Sequence, residues 1–398
     1  MFYMRCMVGR KRWTEVFGKV GRRVSIFIFF KKKRKRKEKK VVSVRAGYAS
    51  TTRNCINHQP PSLSSTTAND EDKMVSYSEL AKKNASVDVT GQRALISGGT
   101  QGIGAGIALR FALAGASVWL IGRNEEKANE VLETLRKASA EAQRRSATSS
   151  PTSHNAEHEF FKADLSSPTA LKSVASDITS KAGMGGIDYL IETQGGPPHG
   201  AIETTSDGIE KQFAVQVLSR VGLAKQLVEA GTIKRGVLMV AAPGQGSSSP
   251  VDVNDLDFTK AKASGSWWGG PLGLLKKGAQ SASILDAACQ HLAEQNPNLT
   301  ITHAFPGFVN TDALSNQGHN PLLVLAGKLA GPMVASKPGP GGYAELPFYV
   351  LANAEGQRYL ETGEANLLTA GLKKLELSKN VRARGIREQI WDKLASYF

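Results

Sequence analysis

A turn built from glycines joins an apolar strand to a helix of small residues. The strand Arg93–Ile96 runs into residues 97–104, SGGTQGIG, and the helix Ala105–Ala112 follows at once. Gly98 permits the tight turn, Gly102 lets the backbone approach a pyrophosphate, and Gly104 lets the helix lie close against the strand. The free N–H groups at the helix start then favour an anion. The residues predicted to line this dinucleotide site are Gly98, Thr100, Gln101, Gly102, Ile103 and Gly104.

From residue 88 onward, short apolar and β-branched runs alternate with longer segments of helical period. Several of these runs are apolar on both faces, as parallel strands covered by helices on each side must be. The alternation predicts the α/β class, with a Rossmann-type doubly wound parallel sheet in a single domain over residues 74–398. The predicted strands are Gln92–Ser97, Ser117–Ile121, Glu159–Ala163, Ile187–Glu192, Gly236–Ala241 and Leu299–Ala304.

The positive charge of the chain is concentrated in its first 73 residues. The whole chain carries +16, but residues 1–73 hold 19 of the 51 Lys and Arg and only five of the 35 Asp and Glu. A folded nucleic-acid-binding domain would carry its basic residues on its own surface, so we expect no nucleic-acid partner. The apolar run 24–30 is far shorter than the roughly 20 residues that cross a bilayer, so we expect no membrane span.

This basic leader has three interpretations. Its Arg-rich character is typical of an organelle transit peptide, its run of basic residues at 31–37 is typical of a nuclear address, and its composition also fits a disordered extension ahead of a domain that opens at Met74. The expected location is cytoplasmic if the protein starts at Met74, and mitochondrial or nuclear if the leader is genuine.

The end of the second predicted strand discriminates between the two nicotinamide dinucleotides. An acidic residue there would bind the ribose 2′-hydroxyl of NAD, but residues 121–124 read IGRN. Arg123 could instead form charge-assisted hydrogen bonds with a 2′-phosphate. The predicted cofactor is therefore NADP(H). The chain has three cysteines, at 6, 55 and 289, and we predict no metal site.

Over about residues 88–312 the chain resembles the short-chain dehydrogenase/reductase family, including divergent fungal members. The resemblance is carried by the glycine turn, by Ala163-Asp164-Leu165 after the third strand, and by the segment PGFVNT at 306–311 after the sixth. It implies an oxidoreductase with an adenine-contacting Asp164 and a nicotinamide-side segment. The further cofactor-binding residues that it implies are Leu165, Gly195, Pro306, Gly307, Val309 and Thr311.

The catalytic residues of that family are missing. Its Asn-Asn-Ala-Gly segment reads ETQG at 192–195, its catalytic Asn corresponds to Gln216, and its Ser position falls within Ala241–Pro243. Its proton donor is the Tyr of a Tyr-x-x-x-Lys motif, but no tyrosine occurs between Tyr189 and Tyr343. Phenol chemistry therefore cannot supply the proton.

Other side chains are candidates for the missing chemistry. Lys276 or Lys277 could serve as a substitute catalytic group, although both could also be solvated at a helix start. His303 could reach the cofactor or be a structural histidine. The aromatic and leucine residues 267–275 could line an apolar pocket or pack a loop, and residues 312–342 read as a lid or flap.

Two functions follow from this pattern. The first is an atypical NADP(H)-dependent oxidoreductase that acts on a small apolar carbonyl or alcohol. The second is a catalytically silent NADP(H)-binding or redox-sensing partner protein, since the cofactor motif is intact and the catalytic set is not. Members of the family often pair through two long helices, which here fall within 207–230 and 279–293 and suggest a homo-oligomer.

Overall fold

Seven parallel strands form one sheet in the computed structural model, which describes residues 76–146, 155–195, 200–311 and 336–398. The predicted leader and most of the predicted flap lie outside the described residues. The strands are β1 (Arg93–Ser97), β2 (Ser117–Gly122), β3 (Glu159–Lys162), β4 (Ile187–Glu192), β5 (Ile233–Val240), β6 (Thr300–Ala304) and β7 (Ala365–Leu368). Their order, β3-β2-β1-β4-β5-β6-β7, confirms the predicted doubly wound sheet.

The seventh strand was not predicted. It contains only four residues, Ala-Asn-Leu-Leu, without a β-branched side chain, so it carries no strand signal of its own. It forms because β6 offers an open edge, along which Ile301–Ala304 pair with Ala365–Leu368. The prediction of six strands was therefore one short. The fifth strand also begins at Ile233, three residues before the predicted Gly236.

Helices cover both faces of the sheet. They are α1 (Tyr77–Asn84), α2 (Gly102–Ala112), α3 (Glu125–Ser146), α4 (Pro168–Ala182), α5 (Lys211–Phe213), α6 (Ser219–Glu229), α7 (Thr259–Ala263), α8 (Gly270–Gln295), α9 (Glu345–Ala352), α10 (Ala354–Gln357) and α11 (Arg384–Ala395). A π-helical segment, Ala214–Leu218, joins α5 to α6. One apolar core lies between the sheet and α4, α6, α8 and α11, and the other lies between the sheet and α1, α2, α3 and α9.

The C-terminal helix covers the two long helices that were predicted to pair in an oligomer. The Trp391 indole stacks on His291 of α8 with ring centroids 4.4 Å apart. The Phe398 ring fills the space beside Gly222 of α6, where an added Cβ would lie 2.1 Å from a ring carbon. The C-terminal segment therefore packs on part of both helices, and the homo-oligomer stays a prediction. No described helix is long and apolar enough to cross a membrane.

Candidate active site

The glycine turn brings the end of β1, the start of α2 and the end of β4 into direct contact. Gly98 has a φ of +72° and Gly102 a φ of +56°, both in the left-handed region that favours glycine. A Cβ on Gly104 would lie 2.4 Å from the carbonyl oxygen of Gly98 and 2.5 Å from Oγ1 of Thr193. Helix α2 can therefore lie this close to the sheet only because residue 104 has no side chain.

The N-terminus of α2 is open to an anion. Its N-cap residue, Gln101, makes no side-chain hydrogen bond to the helix, so the N–H groups of the first turn have no side-chain cap. The Gln101 side chain instead accepts a hydrogen bond from Lys127 Nζ at 2.7 Å. Uncapped N–H groups beside glycines fit the pyrophosphate of a dinucleotide. Ile103 follows on this first turn and packs against the core beneath it.

The predicted nicotinamide-side segment meets the glycine turn. A Cβ on Gly102 would lie 3.5 Å from Cγ2 of Thr311, so these two predicted site residues are neighbours. Val309 pairs with Ser336 in an isolated parallel bridge, which holds the chain where it re-enters the described part. Pro306 precedes Gly307, whose φ of +69° turns the backbone beside Ala370. The structure thus gathers the segment 306–311 at the same edge as the turn.

Arg123 and Asp164 lie together at the ends of β2 and β3. Their Nη1 and Oδ2 atoms are 3.9 Å apart, and the side chains are 74% and 50% exposed. Asp164 also accepts hydrogen bonds from the backbone and hydroxyl of Ser166, which fix its carboxylate, while Leu165 is buried beneath. Thr100 packs against Gly122 at the end of β2. An exposed guanidinium held at this edge can meet a phosphate from solvent.

Gly195 and Gln216 form the centre of the site. Gly195 follows β4 with a φ of +102°, and a Cβ there would lie 2.6 Å from Oε1 of Gln216. The residue before it, Gln194, accepts a hydrogen bond from the Ser97 hydroxyl and donates one to Ser219 Oγ at 3.0 Å. The side chains that replace the family's usual segment are therefore anchored inside the protein, and the Gln216 amide lies directly against the Gly195 backbone.

Two charged side chains lie beneath this centre. Glu192 ends β4 and is fully buried, and neither carboxyl oxygen has a hydrogen-bond partner among the described residues. Burial raises the pKa of Glu192 well above its usual range, although the charge of Arg220 opposes the effect. Arg220 is also buried, and burial lowers its pKa to about 10, so it stays protonated at neutral pH.

The buried Arg220 guanidinium connects the π-helical segment to the sheet. Its Nη1 donates to the carbonyl oxygen of Gln216 and to Gln216 Oε1, the latter at 3.3 Å. Its Nη2 donates to the carbonyl oxygen of Val240, the last residue of β5, at 3.0 Å. The sequence analysis missed Arg220. The available signal was an arginine within a helix whose neighbours at 221–224 are all apolar or glycine.

The two candidate lysines contact residues outside the glycine turn. Lys277 is 5% exposed, and its Nζ donates to Glu210 Oε1 and to the carbonyl oxygen of Ala201, both at 2.8 Å. The Nζ of Lys276 is exposed and lies 5.0 Å from the Phe258 ring centroid. The structure therefore gives Lys277 a buried ion pair and Lys276 a cation–π contact, and their catalytic role stays a prediction.

His303 is a buried residue within a hydrogen-bonded group. Its Nδ1 lies 2.9 Å from Asp286 Oδ1, and the other oxygen of Asp286 accepts from the Ser378 hydroxyl at 2.6 Å. The Gly244 amide donates to the same carboxylate. The His303 side chain is fully buried, so it joins β6, α8 and the segment after β7 from beneath. No group of residues that could hold a metal occurs in the described part of the chain.

Apolar side chains are exposed at the start of α8. Trp268, Leu272 and Leu275 are 77%, 68% and 66% exposed. The neighbouring Trp267 is different, because its ring packs on Phe258 at 4.8 Å and its Nε1 donates to the carbonyl oxygen of Gly200 at 3.1 Å. Trp267 therefore holds the loop in place, and the other three form an apolar surface.

Comparison with known proteins agrees with this geometry. The family model for short chain dehydrogenase matches residues 92–238. An oxidoreductase of Emericella nidulans is 23% identical over 290 residues, which are 72% of this chain and 76% of that protein. Hydroxysteroid 11-beta-dehydrogenase 1-like protein A of Xenopus laevis is 23% identical over 226 residues, which are 56% of this chain and 66% of that protein.

A solved structure shares the fold. An uncharacterized protein from Mycobacterium paratuberculosis superposes with a TM-score of 0.53 at 16% identity, over 79% of this chain and 96% of that chain. The sheet order, the glycine turn at the first strand and the matched sequences lead to one conclusion. Residues 92–238 match the short-chain dehydrogenase/reductase family, whose members are oxidoreductases that bind NAD(P) and act on small molecules, and the described chain has the Rossmann-type fold of that family.

Proposed function

We propose that the chain is an atypical NADP(H)-dependent oxidoreductase that acts on an apolar carbonyl or alcohol. The observation that carries the choice of NADP(H) is the position of Arg123. Its guanidinium lies one residue beyond β2, exposed and beside Asp164, at the edge where the glycine turn opens. A guanidinium there can pair with the 2′-phosphate that distinguishes NADP(H) from NAD(H).

Residues around the turn would hold the cofactor. The N–H groups of the first turn of α2 would bind the pyrophosphate, and Arg123 would bind the 2′-phosphate. Gly195 and the segment from Pro306 to Thr311 would line the nicotinamide end, with the Gln216 amide beside it. The bound cofactor would supply or accept the hydride, and a residue other than tyrosine, or water, would supply the proton.

The exposed apolar surface at the start of α8 supports an apolar substrate. Leu272 and Leu275 lie on α8, which also carries the two candidate lysines, and Trp268 lies just before that helix. One relative, from Xenopus laevis, is a hydroxysteroid 11-beta-dehydrogenase 1-like protein. Removal of an apolar substrate from water against such side chains would contribute much of its affinity.

A second function, that of a catalytically silent NADP(H)-binding or redox-sensing protein, is supported by Lys277. This lysine is the more buried of the two candidate lysines, yet its amine is engaged by Glu210 and the Ala201 carbonyl. A cofactor site without a free acid would bind the dinucleotide and transfer no hydride at a useful rate.

The cofactor proposal is tested by calorimetry of the full chain with NADPH and NADH. We expect NADPH to bind more tightly, and Arg123→Ala to weaken NADPH about tenfold or more while it leaves NADH nearly unchanged. Asp164→Asn is the matched control, because it removes the neighbouring charge and keeps the guanidinium. If Arg123→Ala weakened the binding of NADPH and NADH equally, the result would contradict the proposed role of Arg123.

The choice between enzyme and silent protein is tested by NADPH oxidation with a panel of aldehydes, ketones and quinones. Turnover of an apolar compound from this panel supports the proposal that the protein is an enzyme. If the lysines contribute, Lys276→Ala combined with Lys277→Ala lowers that turnover, whereas Lys276→Ala alone tests the exposed amine. Tight NADPH binding without turnover of any member would favour the silent protein.

A further inference from the structure

The buried charge beneath the centre of the site has no explanation in the packing alone. Arg220 is 2% exposed, and its Nε has no hydrogen-bond partner among the described residues. Burial of a guanidinium is costly unless a carboxylate compensates it. Glu192, the carboxyl group that interacts electrostatically with it, forms no ion pair with it within 4.0 Å in the described part of the chain. Hydrogen bonds to two carbonyl oxygens and one amide oxygen therefore hold the charged guanidinium in place.

The neighbours of Arg220 do not cancel this charge. The groups that interact electrostatically with it are Glu192 and the thiol of Cys289. Burial raises the pKa of both groups well above their usual ranges, which opposes their ionisation. Asp286, which lies near Cys289, is already engaged by His303, Ser378 and the Gly244 amide. In the described part of the chain, none of these three groups forms an ion pair with the Arg220 guanidinium, which is held by neutral oxygens.

The contacts of Arg220 locate that charge. Its Nη1 binds Gln216, whose amide lies against Gly195, and its Nη2 binds the last carbonyl of β5. Gly195 and Gln216 are the residues that the proposed function assigns to the nicotinamide end. The charge would therefore be one side chain removed from the nicotinamide end, and it lies away from the edge where Arg123 would bind the 2′-phosphate, because β1 and β4 lie between β2 and β5.

We infer that Arg220 is a positioning residue whose fixed positive charge makes the site hold NADPH in preference to NADP⁺. This inference rests on the proposed function. The two forms of the cofactor differ by one positive charge, which is located on the nicotinamide ring of the oxidised form. A buried cation near the ring repels that form and leaves the reduced form unaffected. The chain is thereby suited to reduction of its substrate.

The test is the ratio of the two dissociation constants, because contacts to the phosphates and ribose contribute to both and cancel. NADPH binding to the full chain is followed by its fluorescence, and NADP⁺ binding by displacement of NADPH. We expect the wild-type protein to bind NADPH at least about tenfold more tightly, and Arg220→Met to reduce that ratio about tenfold. Arg220→Lys, which retains the charge, should retain most of the preference.

Glu192→Gln is the second control, since it removes the carboxyl group's ability to ionise and keeps its shape. We expect it to leave the ratio within about twofold. A tenfold larger preference in this variant would mean that an ionised Glu192 cancels Arg220, and it would overturn the inference. Circular dichroism checks that each variant folds, and the wild-type ratio alone is decisive if Arg220→Met does not fold.

A wrong role for Arg220 can be distinguished from a wrong cofactor site. Equal affinity of the wild-type protein for NADPH and NADP⁺, or a ratio that Arg220→Met leaves unchanged, overturns the role of Arg220 alone. If neither form binds, the proposed cofactor site is wrong, and the inference about Arg220 falls with it.

Discussion

The two halves of the sheet edge are built in different ways. The half formed by β1, β2 and β3 depends on backbone geometry: glycines at positive φ, an uncapped helix start and two exposed, opposite charges. The half formed by β4, β5 and α8 depends on buried polar side chains, including Glu192, Arg220 and the Lys277–Glu210 pair. The first half kept the features that a dinucleotide needs. In the second half, the Gln194, Arg220 and Lys277 side chains form hydrogen bonds inside the protein.

This difference has a physical origin. The backbone requirements of the first half allow almost no alternative, because a Cβ at Gly104 would overlap main-chain atoms. The second half tolerates replacement wherever the new side chain finds a buried partner, as Gln194 does with Ser97 and Ser219. The halves should therefore respond differently to substitution.

The largest loss of NADPH affinity is expected on substitution of Gly104. The Cβ in Gly104→Ala would meet the Gly98 carbonyl oxygen at 2.4 Å, which forces α2 away from the sheet. We expect NADPH affinity to fall more than about a hundredfold and the free energy of unfolding to fall by about 3 kcal/mol. Dinucleotide titration and urea unfolding measure these changes.

The matched control for this substitution is Gly385→Ala in α11. A Cβ there has no atom within 4 Å, so stability and NADPH binding should be retained. If the Gly104→Ala variant binds NADPH as tightly as the Gly385→Ala variant does, cofactor binding by the first half does not depend on the close backbone contact at Gly104.

The next effect tests whether the second half depends on its buried pairs. Lys277→Met leaves the carboxylate of Glu210, which is 1% exposed, without its cation. We expect the free energy of unfolding to fall by about 3–5 kcal/mol. Urea denaturation of the variant, and of Lys277→Met combined with Glu210→Gln, measures it; the double variant should recover part of the loss.

Lys276→Met is the control for this pair. Its amine is exposed, so its removal should change stability by less than about 0.5 kcal/mol. If Lys276→Met and Lys277→Met lower the free energy of unfolding by similar amounts, burial of the Lys277–Glu210 pair does not make Lys277 more important for stability than Lys276.

A smaller effect concerns pH and the first half. Burial lowers the pKa of His158 from 6.5 to about 4; Nδ1 of His158 accepts the Val118 N–H at 3.2 Å, and its Nε2 lies 2.8 Å from Ser139 Oγ. A histidine with a lowered pKa stabilises the fold above its unfolded pKa, and this contribution is lost as pH falls towards its folded pKa. We expect a loss of about 2 kcal/mol between pH 7.5 and pH 5.

The His158 effect is isolated by urea unfolding of wild-type protein and His158→Gln at both pH values. The variant should lack this part of the pH dependence. An equal loss of stability in the two proteins on acidification would assign the effect to other groups.

The last effect, in the second half, runs in the opposite direction. Because the pKa of Glu192 is raised, its neutral form stabilises the fold at low pH, and this contribution is lost as pH rises towards its folded pKa. Glu192→Gln should therefore become progressively more stable than the wild-type protein between pH 5 and pH 8. Urea unfolding at these two pH values checks it, and a constant difference would contradict the raised pKa.

The sequence by itself determined the class of the fold and the backbone of the cofactor half. Apolar runs of strand length and the spacing of Gly98, Gly102 and Gly104 are local signals, because they reflect which backbone conformations and burial patterns a segment can adopt. The absence of a tyrosine between Tyr189 and Tyr343 was equally visible, since it needs no structure.

Only the tertiary structure decided the rest. The β7 strand forms because β6 offers an open edge. Lys277 meets Glu210, 67 positions earlier, and Arg220 meets Val240 because β5 ends beside α6. Such partners are chosen by packing between distant segments, and the charge that a side chain carries depends on what surrounds it after folding. No local pattern in the sequence contains that information.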